Sequence, residues 1–365
     1  MPETVLVTGG AGFIGSHLAD ELVRSGHRVR ALDSLVGQVH GEVERPEYLS
    51  EEVELIAGDV RNPELVARAL EGVGSVFHLA ARVGVGQSMY ELAEYAGANT
   101  AGTGVLLDAL HDRPVRKLVV ASSMSVYGEG AYEPAPATGR SREQLDRGDW
   151  EPRGSNGEEL RPVPTPEHKQ PSLASVYALT KYDQERMCLL YGAAYDLPAV
   201  ALRFFNVYGP RQALSNPYTG ALAIFASRLL NDCQPLLYED GGQRRDFVNV
   251  ADVARACRLA LERDGADGQS VNVASGRSVS VLEIADQLAR VLGKAIEPEV
   301  LGKFRAGDIR HCFADVTLAR EALGFEAEVP LEEGIASFAA WLEGRAATDH
   351  FDAAAAELMD RGLTT

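Results

Sequence analysis

The chain has 365 residues, 45% of them hydrophobic and 24% charged, and a formal net charge of -18 at pH 7. This length allows a large core and two lobes, and the negative charge argues against non-specific binding to nucleic acid or to an anionic membrane surface. No window approaches the roughly 18 uninterrupted apolar residues of a membrane span. The start of the chain has no export signal, and the four cysteines at 188, 233, 257 and 312 suit neither a disulfide framework nor a metal site. We therefore expect a cytoplasmic protein without a bound metal.

Short apolar segments alternate with amphipathic segments over the first 125 residues. Runs rich in β-branched residues predict strands at 4–8, 28–33, 53–58, 75–80 and 116–123. The segments between them predict helices at 12–25, 63–71 and 98–110. Strands that alternate with helices form right-handed βαβ units around a parallel sheet covered on both faces. The sequence therefore predicts a doubly wound parallel sheet of the Rossmann type.

The rest of the chain is less regular. Segment 128–172 is rich in proline, glycine and charge, and we interpret it as an ordered loop inserted near the active site. A helix over 174–195 and a strand over 198–204 follow it, and later segments mix helices with short strands. We expect a Rossmann domain over 1–205, a smaller mixed α/β lobe over 206–345 with segments that cross back, and a C-terminal helix or tail over 346–365.

The loop "TGGAGFIGSH" carries Gly9, Gly12 and Gly15 between the first strand and the first helix. Backbone NH groups in such a loop and at the helix N-terminus can bind a pyrophosphate, and glycine allows its close approach. Asp33 ends the second strand, where a carboxylate accepts both ribose hydroxyls and repels a 2′-phosphate, which favours NAD over NADP. Asp59, after the third strand, is expected near the adenine.

"SVYALTK" places Tyr177 and Lys181 one helical turn apart, so both lie on one face. An ammonium group beside a phenol lowers the pKa of the phenol, which could then accept a proton from a sugar hydroxyl. Ser123 ends the fifth strand, at the sheet edge where ligands of such folds bind, and could bond the same hydroxyl. Taken alone, the tyrosine and lysine could be an ordinary pair on a helix surface, and Ser123 a turn residue.

Together these motifs resemble the extended short-chain dehydrogenase/reductase family, in its branch of nucleotide-sugar epimerases and dehydratases. The resemblance runs through "VLVTGGAGFIGSHL", "HLAA", "SSMSVYG", "YALTK", "LRFFNVYGP", "RRDFVNVADVA" and "RAGDIRHCFAD", which span nearly the whole chain in order. It implies bound NAD and a second lobe that binds a nucleoside diphosphate sugar. It also implies a homodimer that forms through the helices near 98–110 and 174–195.

The resemblance assigns roles residue by residue. The catalytic set is Ser123, Tyr177 and Lys181. The cofactor contacts are Gly9, Gly12, Phe13, Ile14, Gly15, Asp33, Asp59, Val60, Leu79, Ala80, Ala81 and Asn99, together with Tyr177 and Lys181. The substrate contacts are Ser123, Ser125, Asn206, Arg245, Arg305 and Asp308, of which the two arginines bind the diphosphate and the aspartate the nucleoside ribose.

The residues after Ser123 bear on which reaction the family resemblance implies. Relatives that eliminate water carry an Asp–Glu pair there and decarboxylases keep a glutamate, whereas this chain has Met124 and Ser125. We therefore expect 4-epimerisation of a dTDP- or UDP-hexose, such as a dTDP-L-rhamnose-like 6-deoxyhexose, through a transient 4-keto sugar with retained NAD. A nucleotide-sugar 4-ketoreductase, a UDP-glucuronic acid decarboxylase or epimerase, and a non-catalytic NAD-binding protein remain open alternatives.

Overall fold

The computed structural model describes residues 2–137, 139–305, 308–345 and 348–364. Within these residues the strands are, in chain order, β1 (Thr4–Thr8), β2 (Arg28–Asp33), β3 (Glu54–Ala57), β4 (Ser75–His78), β5 (Lys117–Ser123), β6 (Ala131–Glu133), β7 (Arg161–Val163), β8 (Ala199–Phe204), β9 (Asn206–Tyr208), β10 (Leu236–Leu237), β11 (Arg244–Arg245), β12 (Phe247–Asn249), β13 (Ser270–Val273), β14 (Val279–Ser280), β15 (Glu299–Val300) and β16 (His311–Cys312).

The helices in the same residues are α1 (Phe13–Arg24), α2 (Gly37–His40), α3 (Pro63–Ala69), α4 (Val85–Ser88), α5 (Leu92–Tyr95), α6 (Gly102–Asp112), α7 (Arg142–Asp146), α8 (Val176–Tyr195), α9 (Ala221–Leu230), α10 (Val250–Glu262), α11 (Val281–Val291), α12 (Thr317–Leu323), α13 (Leu331–Leu342) and α14 (Phe351–Asp360). A π-helical segment (Ala96–Ala101) precedes α6, and a 3-10 helix (Met124–Tyr127) follows β5.

Seven of the described strands form one parallel sheet in the order β3-β2-β1-β4-β5-β8-β13. The chain runs outward from β1 to β3 on one side and then returns to β4 on the other side of β1. The strand order thus reverses between β1 and β4, which opens a crevice at the carboxyl ends of these strands. The predicted doubly wound α/β fold is confirmed.

Apolar side chains fill both faces of this sheet, because helices cover each of them. On one face α1 and α10 pack together over β1 and β5. On the other face α3, α6 and α8 cover the same strands. Strands buried on both faces read as continuous apolar runs rather than alternating ones, and all seven residues of β5 are buried.

A second lobe has its own core of apolar side chains from α9, α11 and α13. The chain crosses from this part back to the sheet, since β13 pairs with β8. Segment 128–172, apart from Thr138, which lies outside the described residues, contains the antiparallel pair β6–β7 and α7. Its Arg140 donates to Glu239 (2.6 Å), and its Glu151 accepts from Arg310 (2.6 Å) and His311 (2.9 Å). The division at 205 and 345 remains a prediction.

The C-terminal segment predicted as a helix or tail contains α14. Ala346, Ala347 and Thr365 of that segment lie outside the described residues, as do Met1, Ala306 and Gly307. No helix in the described part of the chain is long and apolar enough to cross a membrane.

Candidate active site

A cavity of about 910 Å³ opens at the carboxyl edge of the sheet and extends to the second lobe. It lies at the point where the strand order reverses, which is where open α/β sheets bind their ligands. Its lining includes every predicted site residue other than Asn99. Those lining residues are Gly9, Gly12, Phe13, Ile14, Gly15, Asp33, Asp59, Val60, Leu79, Ala80, Ala81, Ser123, Ser125, Tyr177, Lys181, Asn206, Arg245, Arg305 and Asp308.

The glycine loop between β1 and α1 has no room for side chains. Gly9 has a φ of +71°, and a Cβ added there would lie 2.9 Å from Ala80 N. A Cβ at Gly15 would lie 2.1 Å from Gly9 O, so the first turn of α1 packs directly on the loop. Gly12 precedes α1 and supplies no side-chain cap, which leaves the first NH groups of the helix for a ligand. This bare loop at a helix N-terminus fits a pyrophosphate.

Asp33 lies at the end of β2 beside that loop, where one of its oxygens accepts from Ala11 N (3.0 Å) and the other from Leu35 N (3.0 Å). These bonds fix a carboxylate that also lines the cavity, and its remaining lone pairs suit ribose hydroxyls. His40, on α2, lies 3.6 Å from Asp33, and Tyr48 donates to Ala11 O (3.0 Å). Sequence reasoning missed these two residues, because segment 34–50 has no periodic pattern that would place them.

Two other predicted cofactor contacts, Asp59 and Asn99, differ in their surroundings. Asp59 is bound by Arg61 (2.7 Å), whose hydrogen bonds hold the pKa of the Asp59 carboxyl below its ordinary value. Asn99, in the π-helical segment, is fully buried away from the cavity lining. Its amide accepts from Arg82 N (2.7 Å) and donates to Thr180 Oγ1 (2.9 Å). In this structure Asn99 therefore ties the segment after β4 to α8.

Ser123, Tyr177 and Lys181 meet where β5 ends beside α8. The Ser123 hydroxyl lies beside the Tyr177 phenol, whose pKa it lowers, and it accepts from Ser125 Oγ (2.9 Å). The backbone NH of Tyr177 donates to Ser88 Oγ (3.0 Å), which ties α8 to α4. Because the phenol and the hydroxyl are neighbours in the lining of one cavity, both could reach one substrate oxygen.

The electrostatics of this set differ from the expectation that Lys181 lowers the pKa of Tyr177. Burial raises the pKa of Tyr177, and the neighbouring Ser123 hydroxyl offsets this rise only in part. Burial also lowers the pKa of Lys181 to about 7. The Lys181 ammonium donates to Gln184 Oε1 (2.6 Å), so a neutral amide and not the phenol holds it. The expected lowering of the phenol pKa is therefore wrong for this structure, because desolvation dominates.

A buried polar network holds Gln184, the residue that accepts the hydrogen bond from Lys181. Gln184 Nε2 lies 3.0 Å from His78 Nε2 and donates to Thr103 Oγ1 (3.1 Å). His78 Nδ1 lies 2.8 Å from Thr8 Oγ1, at the end of β1. The network thus joins the lysine to the strand that leads into the glycine loop. The sequence singled out "HLAA" as a motif, but no spacing linked His78 to Gln184.

The second lobe brings the two predicted arginines to the cavity. Arg245 donates to Ile309 O (2.5 Å). Arg305 pairs with Asp308 (3.1 Å), and its guanidinium lies 4.5 Å from the centre of the Tyr238 ring. Both arginines therefore have protein partners in this structure, and Arg305 and Asp308 bind each other.

Asn206 and the start of α9 line the same part of the cavity. The Asn206 amide donates to Asp246 O (3.0 Å), which orients its side chain. Gly220 precedes α9 and contributes no side-chain cap, so the helix presents its N-terminal NH groups at Ala221 and Leu222. Sequence reasoning missed this helix start as a site feature, although a glycine before an apolar helix is a signal for one.

The chain matches the model of the NAD dependent epimerase/dehydratase family over residues 5–274. It is 38% identical to a dTDP-L-rhamnose 4-epimerase from Burkholderia thailandensis over 357 residues, which cover 93% of this chain and 94% of the relative. The solved structure of a Thermotoga maritima UDP-glucose 4-epimerase with UDP-glucose superposes with a TM-score of 0.77 at 32% identity, covering 93% of this chain and 98% of that one. The solved structure of a Thermus thermophilus UDP-glucose 4-epimerase in complex with NAD superposes with a TM-score of 0.74 at 32% identity, covering 93% of this chain and 99% of that one.

The family match extends over far more than half of the chain and includes the glycine loop, Ser123 and the Tyr177–Lys181 pair. The predictions of an NAD cofactor and of an epimerase of this family are confirmed. The chain belongs to the NAD dependent epimerase/dehydratase family and is an enzyme whose cofactor is NAD.

Proposed function

We propose that this enzyme is a 4-epimerase of a nucleoside diphosphate sugar. The observation that carries the proposal is one cavity that holds the glycine loop, the Ser123–Tyr177 pair and, at its far end, Arg245 and Arg305. A dinucleotide and a sugar nucleotide can meet in such a cavity with the reacting carbon beside the phenol.

Tyr177 would accept the proton of the sugar 4-hydroxyl and return it after the sugar has turned over. NAD, when bound, supplies the acceptor and then the donor of the hydride at carbon 4. Ser123 would hold the same oxygen through its hydroxyl, as a second donor to the 4-keto group. For Tyr177 to act as the base its pKa must fall, and a turn of the Lys181 ammonium from Gln184 towards the phenol would lower it.

The carboxylates around the cavity argue against elimination. The lining residues with carboxylates are Asp33, Asp59, Glu94 and Asp308. Asp33 is bound by the glycine loop, Asp59 by Arg61 and Asp308 by Arg305. The positions directly after Ser123 are Met124 and Ser125. Elimination needs an acid or base beside the reacting carbons, so simple oxidation and reduction at carbon 4 fits this set better than dehydration.

The diphosphate would bind where the N-terminus of α9 faces the two arginines. Backbone NH groups at a helix N-terminus and planar guanidinium groups both suit phosphate oxygens. Asp308 would then exchange its bond to Arg305 for the hydroxyls of the nucleoside ribose, as the sequence resemblance implies. This local arrangement explains how a chain with a net charge of -18 could hold an anionic substrate.

For the sugar we propose a dTDP-linked 6-deoxyhexose, following the relative from Burkholderia. We also propose a homodimer, because α8 exposes the apolar side chains of Leu179, Leu190 and Tyr195. Light scattering on the enzyme and on Leu190→Asp tests this, and a monomeric mass for the unmodified enzyme would refute it. The four cysteines are unpaired, and three of them are buried, which supports a reducing compartment such as the cytoplasm.

The first experiment incubates the purified enzyme, without added cofactor, with dTDP- and UDP-sugars. NMR follows the configuration at carbon 4, while absorbance follows reduced NAD. Conversion to the 4-epimer without net reduced NAD is expected. Activity that requires added NADH and a 4-keto sugar would make the protein a reductase instead.

Tyr177→Phe tests the proposed base directly. We expect turnover to vanish while NAD remains bound, because only the proton acceptor is lost. Tyr191→Phe, on the same helix but away from the cavity lining, is the matched control and should retain activity. Residual epimerisation by Tyr177→Phe near the unmodified rate would refute the assigned role.

A further inference from the structure

The apolar side of the C-terminal helix α14 forms a wall of the cavity. Phe351, Ala354, Ala355 and Leu358 recur at the spacing of one helix face, and all four line the cavity. Leu358 is only 6% exposed, whereas its neighbour Met359, on the outer face, is 51% exposed. An amphipathic helix normally turns its apolar side to a core, but here this side faces the space that the substrate would enter.

Contacts at both ends hold α14 at the cavity. The Arg228 guanidinium pairs with Asp349 (3.1 Å) and Asp352 (3.1 Å), and it lies 5.2 Å from the centre of the Phe351 ring. At the other end, the Arg361 guanidinium lies 4.3 Å from the centre of the Tyr90 ring. The backbone of Thr364 then forms a bridge with Arg305. The helix is therefore fixed to the second lobe at its start and to the cavity rim at its end.

A chain of contacts connects α14 to the reacting centre. Leu358 lies 3.3 Å from where a Cβ on Gly86 would be, in α4. The last residue of α4, Ser88, accepts the hydrogen bond from Tyr177 N. Only the short helix α4 thus separates Leu358 from the catalytic tyrosine. Residues of α4, α8 and α14 line the same cavity, so a sugar bound beside Tyr177 would lie near α4 and α14.

Among the residues that the structure describes, those that line the cavity next to α14 have mainly apolar side chains. The lining residues from segments 83–89, 212–225 and 351–363 have no charged side chain among them. The Tyr218 hydroxyl, which is one polar group there, is already bonded to the Tyr90 hydroxyl (2.5 Å). The Leu358 side chain offers no hydrogen-bond partner, so a carboxylate or a hydroxyl placed against it would lose hydration that this side chain does not replace.

We infer that α14, chiefly through Leu358, is the specificity-determining wall of the sugar subsite and favours a nucleotide sugar whose carbon 6 is a methyl group. Sugars with a hydroxymethyl or a carboxylate at carbon 6 are disfavoured. The inference rests on the proposed function, since it places the sugar beside Tyr177. It assigns the discrimination to a C-terminal helix that the sequence pattern alone marks only as a surface segment.

The test compares a dTDP-6-deoxyhexose with its 6-hydroxy counterpart as substrates. The ratio of their kcat/KM values is measured for the unmodified enzyme, for Leu358→Ser and for the matched control Met359→Ser. We expect a ratio above about 10 for the unmodified enzyme, because an apolar pocket rejects an analogue that adds a hydroxyl by up to about 100-fold. Leu358→Ser should lower the ratio about tenfold, and Met359→Ser should leave it within twofold.

The outcomes separate the two proposals. An unmodified enzyme that epimerises both sugars at equal efficiency, or a ratio that Leu358→Ser leaves unchanged, overturns the role of α14 while the 4-epimerase activity stands. If neither sugar is epimerised, the proposed function fails. The role of α14 is then tested by the ratio of the calorimetric dissociation constants of the two sugars, which Leu358→Ser should change about tenfold and Met359→Ser should leave within twofold. If circular dichroism finds Leu358→Ser unfolded, Ala355→Ser, which adds a hydroxyl to the same wall, replaces it.

Discussion

Lys181 is a buried lysine whose removal should stabilise the protein. Its side chain is buried, its ammonium donates to the neutral amide of Gln184, and burial lowers its pKa from the ordinary 10.5 to about 7. One pKa unit corresponds to about 1.4 kcal/mol, so retaining this charge in the folded protein costs at most about 5 kcal/mol. Lys181→Met keeps the length of the side chain and removes the charge. We expect its free energy of unfolding at pH 7 to rise by about 2 to 4 kcal/mol, while turnover is lost.

The stabilisation expected from Lys181→Met should decrease as the pH rises. Between pH 7 and 10.5 the unfolded chain holds a proton on Lys181 that the folded protein has released. The free energy of unfolding of the unmodified protein therefore rises with pH in this window. The advantage of Lys181→Met should be largest at or below pH 7 and should disappear towards pH 10.5. Urea denaturation of both proteins without nucleotide, at several pH values, measures the difference.

Lys117 is the matched control, because it is equally buried but paired. Its side chain is 1% exposed, forms an ion pair with Asp267 and donates to Arg263 O (2.8 Å). Lys117→Met leaves these acceptors without their cation and should lower the free energy of unfolding by roughly 1 to 3 kcal/mol. If Lys181→Met is destabilised at pH 7 as much as Lys117→Met, the penalty for the Lys181 charge does not exist and the reasoning is refuted.

Three further changes test the cofactor site and its scaffold. Gly15→Ala places a Cβ 2.1 Å from Gly9 O. The displaced loop should weaken NAD binding, measured by calorimetry, at least tenfold. Gly104→Ala, where the nearest atom to the new Cβ is 3.7 Å away, should leave NAD binding unchanged. Asp33→Asn should weaken NAD binding about 10- to 100-fold by loss of a charged acceptor, and it should reduce the ratio of the affinity for NAD to the affinity for NADP. An unchanged ratio would contradict the role of Asp33 at the adenosine ribose. Glu185→Leu removes the acceptor of two hydrogen bonds from Arg203 (2.6 and 2.9 Å). It should lower the free energy of unfolding, measured by urea denaturation, by about 3 to 5 kcal/mol. An unchanged urea midpoint would exclude a structural role for the Glu185–Arg203 pair.

Local sequence patterns were enough to predict the fold class and most elements. The strands at 4–8 and 28–33 have the bounds that the patterns predict, because strands of a covered parallel sheet leave short apolar runs of contiguous residues in the sequence. The glycine loop could be read in the same way. Its requirement is steric and local: strand, loop and helix start are contiguous in the chain.

Some features of the site had no local signal. Asn99 lies in the π-helical segment, and its amide forms hydrogen bonds with Arg82 and Thr180. The Lys181 ammonium donates to Gln184 and not to the tyrosine one turn away. Side-chain partners of this kind depend on which rotamers the packed helix allows. A sequence gives the spacing between two residues, but not the direction in which a buried side chain finds its hydrogen bond.

By itself, the sequence determined the doubly wound sheet, the family and the NAD cofactor, since these follow from periodicity and from short motifs in contiguous residues. Only the tertiary structure decided that burial raises the pKa of Tyr177 and that the Lys181 ammonium bonds Gln184 instead of the phenol. It alone turned the apolar side of α14 to the cavity, some 180 residues along the chain from the catalytic helix. Desolvation and long-range packing are properties of the folded surroundings of a residue, and no stretch of neighbouring letters encodes them.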